Sequence, residues 1–174
     1  MKMPLAGSVR RALFQAAGSS VVPIRHRARF LRQLGLTRVT KPSLGHGITF
    51  CNPGAVEMGP SCFINNQVYF DAGSVVLGAK VTVGPRAMFI TADHSIGEAT
   101  HRAGDGSHRG ITVGAGAWIG AGAILLPGIT VGAGSIIGAG AVVTSDCLPD
   151  SVYAGVPARK LRDLEPGDQG GEAD

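Results

Sequence analysis

The sequence predicts an all-β solenoid, and three observations carry that reading. From Val113 to Leu148 the chain divides into units of six. An aliphatic residue opens each unit, glycine follows it at Gly114, Gly120, Gly132 and Gly138, and the fifth place is small except at Ile129. The same phase extends upstream through Leu77-Gly78, Val83-Gly84 and Phe89. Met58-Gly59, Ile64 and Phe70 keep the six-residue step one residue out of phase, so a bulge is expected between Phe70 and Leu77. Composition agrees: 27 glycines and only 5% aromatic residues describe a core of small and branched side chains. A unit this short buries its apolar side only by stacking on its neighbours, three units to a triangular coil. The glycines are expected at bends, where positive φ is cheap.

Taken in order, residues 1–45 read as a basic, partly helical cap. Leu5 to Ala17 predicts a short helix with Leu5, Val9 and Leu13 on one side. Pro23 and Gly35 bracket a second, with Ile24, Phe30, Leu31 and Leu34 as its apolar side and Arg25, Arg29 and Arg32 as a basic stripe. Covering the open solenoid end is the structural role of such a cap. Weak attraction to an anionic membrane surface or to phosphate-bearing acceptors is the alternative use of the stripe. No aromatic platform or base-reading element accompanies the charge, which argues against nucleic acid.

Residues 46–160 read as the solenoid. Asn65, Asn66, Gln67 and Asp71 interrupt its aliphatic pattern, as polar corners or as an acceptor-binding wall. Between Phe89 and Val113 the phase survives but the pattern does not, so a loop over 92–110 protrudes, bearing His94, His101 and His108. Long loops on a regular scaffold are where chemistry is expected. Arg159 and Arg162 are three apart and would share a face on a turn or short helix, where they could hold phosphate. Residues 161–174 read as an acidic flexible tail. Cys51, Cys62 and Cys147 form no pair or metal motif, and no apolar run reaches membrane-spanning length, which points to a cytoplasmic protein with reduced thiols and no metal.

The order Thr91-Ala92-Asp93-His94, Trp118-Ile119-Gly120, Ile137-Gly138-Ala139-Gly140 with Val143-Thr144, then Gly155-Val156-Pro157-Ala158-Arg159 resembles the hexapeptide-repeat acyltransferases. The resemblance is to their maltose, galactoside and nodulation-factor O-acetyltransferase branch, and it spans roughly residues 46 to 163. It implies a left-handed parallel β-helix, and a homotrimer with active sites between subunits. It also implies acetyl transfer from acetyl-coenzyme A to a hydroxyl of a sugar or glycosylated acceptor. The catalytic histidine then falls on His94. Coenzyme contacts fall on Trp118, Ala121, Ala139, Thr144, Ser145, Arg159 and Arg162. Acceptor contacts fall on Cys51, Asn65 and Asp71, with Asn66 an alternative to Asn65.

Chemistry agrees, since a hydroxyl attacking a thioester needs a base, and histidine as a residue type titrates near neutrality. The chain departs from the branch where Cys51 replaces a serine, Ala72 a second acid and Ser145 a lysine, which leaves the acceptor open. Two other classes share the solenoid. A γ-carbonic-anhydrase-like hydratase needs histidines converging on zinc, whereas these three lie in one loop. A non-catalytic scaffold would need neither His94 nor the terminal arginines.

Overall fold

Strand formation follows the six-residue period closely. The computed structural model describes residues 7–165 and Asp168, with side chains from Ala12 onward. The backbone winds about six turns of a left-handed parallel β-helix. Its strands, mostly of two or three residues, fall into three parallel sheets that form the faces of a prism. The first face stacks 38–39, 56–58, 75–77, 111–113 and 130–131. The second stacks 43–44, 63–64, 82–83, 118–119, 136–137 and 151–154, with 159–163 antiparallel at its edge. The third stacks 49–50, 69–70, 88–89, 124–125 and 142–143.

Each opening residue of a unit points inward and meets its counterpart one coil away. Leu44, Ile64, Val83, Ile119 and Ile137 form one buried ladder, and Met58, Leu77, Val113 and Val131 another. The small fifth-place residues, among them Ala117, Ala123, Ser135 and Ala141, fill the space beside them and are fully buried. On the third face the ladder begins with phenylalanines. Phe50, Phe70 and Phe89 stack nearly parallel at 5.0 and 4.8 Å, the spacing of neighbouring parallel strands.

The glycines divide into two groups, which corrects the expectation that they all serve bends. Those in the fourth place, such as Gly122 at φ +66°, do supply left-handed turns. Gly120 in the second place has no positive φ, and a Cβ there would lie 2.5 Å from the backbone nitrogen of Ala139 on the next coil. It is required by the close approach of coils, not by its dihedral angles.

Two helices precede the first coil, α1 over Gly7–Ala17 and α2 over Ile24–Leu34. Leu31 and Leu36 are buried against the first coil, and Phe14 meets Phe50 edge-on at 5.6 Å. Arg27 is buried too, donating from Nε to the Val22 carbonyl and from Nη1 to the Leu44 carbonyl. The apolar sides differ from the expected ones. Leu13, Ile24 and Phe30 are exposed, while Phe14 and Ala17 face the core. Leu5 and Val9 lie outside the described side chains.

Two further departures concern insertions. The protruding segment is an antiparallel ribbon, with Ala92–Ile96 paired to Ala103–His108. The closing segment is also a ribbon, Ser151–Ala154 with Arg159–Asp163, so its second strand runs three residues beyond 160.

Candidate active site

The ribbon carrying His94 leaves the edge between the third and first faces, and Asp71 fastens its root. Asp71 Oδ2 accepts from the Ala92 N–H at 2.9 Å, the Thr91 N–H at 3.1 Å and the Thr91 hydroxyl at 3.3 Å. Burial alone would raise this carboxyl, but these bonds together with the Ala72 N–H hold it below the ordinary carboxylate value. Thr91 is fully buried, and its Oγ1 accepts from the Gly73 N–H at 2.8 Å, tying the corner at 71–74 to the ribbon. Two residues beyond Thr91, Asp93 accepts from the His94 N–H and from Arg109 Nη2 at 3.0 Å, and these two donors lower its carboxyl in that order.

His94 itself is oriented by the opposite strand. Its Nδ1 lies 2.9 Å from the Gly104 carbonyl. A carbonyl oxygen can only accept, so Nδ1 carries the proton of the neutral ring and Nε2 keeps its lone pair. The imidazole is exposed on a ribbon that stands clear of the prism, with Ile96 beside it 89% exposed.

Beneath the ribbon a short polar chain follows the same edge. Strands 49–50 and 69–70 are in register, so Cys51 and Asp71 stand one coil apart. The exposed Cys51 thiol donates to Tyr69 Oη at 3.2 Å, and Tyr69 in turn donates weakly to Asp71 Oδ1 at 3.5 Å. A cavity of about 800 Å³ opens beside Cys51 and Asn52, walled by Phe14, Gln15 and Leu34 of the helices.

The remaining sequence-predicted residues are distributed over two edges and one face. Thr144 and Ser145 follow strand 142–143, at the edge that carries Cys51 and Asp71. Asn65, Ala121 and Ala139 lie on the other edge of the third face, beyond strands 63–64, 118–119 and 136–137. Asn65 and Asn66 are turned to structural work. Asn65 Oδ1 accepts from the Asn66 N–H at 2.7 Å, and Asn66 Oδ1 from the His46 N–H at 2.9 Å. Trp118 projects from the second face, 54% exposed, in one row with Ile136, Val152 and Arg162.

The expected shared side of Arg159 and Arg162 is met by a β-strand, not by a turn or helix. Arg159 is opposite Ala154 and Arg162 opposite Val152, with a bulge between them. Side chains two apart on Ser151–Ala154 project from one face, so the extra residue brings both arginines to it. Arg162 is engaged by Asp168, whereas among the described residues Arg159 donates only to the Ala158 carbonyl. Among the described residues no group of three histidine, cysteine or acidic side chains converges as a metal site would require.

Sequence reasoning missed Tyr69, Arg109 and the Gly104 carbonyl. Tyr69 could have been found by stacking the coils, because it precedes Asp71 by two and follows Cys51 by eighteen. Nothing in the sequence marks Gly104.

A parallel β-helix with an extruded histidine ribbon and a basic closing strand defines a class, the solenoid transferases of activated acyl groups. Residues 110–145 match the family described as bacterial transferase hexapeptide (six repeats). The chain is 40% identical over 132 residues to nodulation protein L of Rhizobium meliloti, a match covering 75% of this chain and 72% of that protein. The matches to three further curated relatives cover 50–59% of their lengths. A maltose O-acetyltransferase from Clostridium difficile superposes with a TM-score of 0.82 at 29% identity, over 91% of this chain and 86% of the other. A hexapeptide-repeat acetyltransferase from Vibrio cholerae, solved with acetyl-coenzyme A, gives 0.80 at 29% identity over 91% and 87%. The chain belongs to the hexapeptide-repeat acyltransferase family, in the branch of the maltose, galactoside and nodulation acetyltransferases.

Proposed function

We propose that this chain is an acetyl-coenzyme A-dependent O-acetyltransferase acting on a sugar or glycosylated acceptor, with His94 as general base. The observation that carries the reading is the Nδ1 contact of His94 with Gly104, which leaves Nε2 free to take a proton. In a direct transfer Nε2 accepts the acceptor's hydroxyl proton as its oxygen attacks the thioester carbonyl. The tetrahedral intermediate then expels the coenzyme thiolate, which takes the proton back from the imidazolium. Backbone N–H groups are the expected donors to the oxyanion.

Trp118, Ala121, Ala139 and Arg159, with Thr144, Ser145 and Arg162, are the residues we assign to the coenzyme, and Cys51, Asp71 and Asn65 or Asn66 to the acceptor. The Vibrio cholerae relative is solved with acetyl-coenzyme A, which supports that coenzyme as the acetyl donor. Asp168 on Arg162 leaves Arg159 as the freer cation for phosphate. Within one chain His94 and Cys51 lie on one edge of the third face, and Ala121, Ala139 and Asn65 on the other. A closed prism cannot fold these edges together, but a ring of copies would set one edge of each against the other edge of its neighbour. This separation favours a homotrimer with sites between subunits. No helix among the described residues is long and apolar enough to cross a membrane, and we place the enzyme in the cytoplasm.

The test is thiol release from acetyl-coenzyme A with a panel of sugars and nucleotide-sugars, for wild type and His94→Ala. Acceptor-dependent release falling by about 100-fold or more in the variant is expected for loss of a general base. Equal rates would remove His94 from the chemistry, and absence of coenzyme binding by calorimetry would leave the scaffold reading.

A further inference from the structure

We infer that the helical cap is a docking surface for an anionic lipid bilayer. Nine basic residues and no acid precede Glu57. The structure removes two of them from consideration, because Arg27 is buried on backbone carbonyls and Arg38 pairs with Glu57. Of the cations with described side chains, Arg25, Arg29, Arg32 and Lys41 remain, and none has an acidic partner among the described residues. Arg25 only donates to the neighbouring His26 ring.

These four do not scatter. Arg25, Arg29 and Arg32 lie along one flank of α2, where with Lys41 and Pro42 they line a shallow cleft of about 320 Å³. The other exposed flank of α2 carries Phe30 and Gln33. Phe30 there joins Leu13, Val21 and Val22 around a groove of about 550 Å³ between the helices, and Val21 is 88% and Phe30 47% exposed. Covering the coil end needs only the buried side of the cap, Leu31, Leu36, Phe14 and Ala17. The charge and the exposed aromatic are surplus to it.

Cations beside protruding apolar side chains, with no acid among them, match the headgroup and acyl boundary of an anionic leaflet. A free phosphate would use the arginines but leave Phe30 and Val21 in water. A protein partner or second copy would use the groove without needing four unpaired cations.

The experiment is sedimentation of the full-length protein with phosphatidylcholine vesicles, with and without a phosphatidylglycerol fraction, at low and high salt. Binding to anionic vesicles only, weakened by salt, is expected. A cation near such a surface strengthens partition about fivefold, so Arg25→Glu/Arg29→Glu/Arg32→Glu should weaken binding by at least ~100-fold. Arg29→Ala, in case the triple variant does not fold, should cost about fivefold, and Phe30→Ser should weaken binding at every salt concentration. Solution acetyl transfer and thermal unfolding should be unchanged in Arg29→Ala. Equal binding to neutral vesicles, or no binding at low salt, would overturn the inference. So would displacement by millimolar inorganic phosphate, which assigns the cleft to a soluble anion. Self-association without vesicles that Phe30→Ser abolishes would assign the groove to a second copy and overturn it equally.

Discussion

Asp71 should act mainly through the ribbon that bears His94. Its Oδ2 holds two backbone N–H groups and one hydroxyl, and the Thr91 N–H belongs to a fully buried residue. Asp71→Ala leaves those donors without their acceptor, at about 1–3 kcal/mol for each buried one. Water reaches the half-buried Ala92, so about 2–4 kcal/mol in total is a fair expectation. Asp71→Asn keeps one carbonyl oxygen but loses the charge that strengthens the bonds, for about 1–2 kcal/mol. At the usual 2–4 °C per kcal/mol for a chain of this size, Asn should lower Tm by about 2–8 °C and Ala by about 4–16 °C. Because the fastening ends two residues before His94, kcat should fall as well, toward the ~100-fold that a displacement of about 1 Å can cause.

The pH dependence follows from the same bonds. The folded carboxyl is held below its unfolded value near 3.9, so its stabilisation is complete above that pH. It disappears as pH falls through the lower folded value, and wild type and Asp71→Asn should converge in Tm only in that acid range. Calorimetry across pH and kinetics at saturating acceptor supply the measurements. A variant that melts with wild type, keeps kcat and only raises KM would refute the fastening role and make Asp71 a simple acceptor contact.

The two classes of glycine should separate on mutation. Gly122→Ala adds a side chain into open space at φ +66° and should cost about 1–2 kcal/mol by thermal unfolding. Gly120→Ala drives its Cβ against the Ala139 backbone and should cost about 3 kcal/mol or more, or prevent folding; equal costs would contradict the close-approach account. Native protein treated with iodoacetamide at mildly alkaline pH should be modified at the exposed Cys51 and spared at Cys62 and Cys147. Burial raises both of those thiols, Cys147 to about 11 with help from Asp146, and mass spectrometry of the digested protein reads the pattern.

The coils were legible because their physics is periodic. Ladders such as Val113 with Val131, Ile119 with Ile137 and Leu125 with Val143 demand an aliphatic residue every eighteen residues, and that demand is printed along the chain. The ribbon was not legible for the opposite reason. Ala-Asp-His-Ser-Ile and Ala-Gly-Asp-Gly-Ser-His show no alternation, since neither side of an exposed ribbon is buried, and backbone pairing alone defines it. His94 was visible through its neighbours in the motif, whereas its orienting partner is a carbonyl, which every residue possesses. The bulge that aligns Arg159 with Arg162 was invisible too, because a spacing of three suggests a helix until the pairing with Ser151–Ala154 is known.

The insertions explain why the polar groups around His94 gather where they do. Counted between inward-pointing residues, the corner from the third face to the first takes eight steps from Phe50 to Met58 and seven from Phe70 to Leu77. It takes twenty-four from Phe89 to Val113, and returns to six from Leu125 to Val131. A residue added within a strand would turn that ladder's aliphatics outward, because side chains alternate. A residue added at a corner disturbs no ladder. Length can therefore accumulate there, and the polar groups it carries, Asn52, Asp71, Thr91 and then His94, stack from coil to coil along one edge. Regular faces confine irregular sequence to that edge, and it is there that Cys51, Asp71 and the proposed base His94 stand.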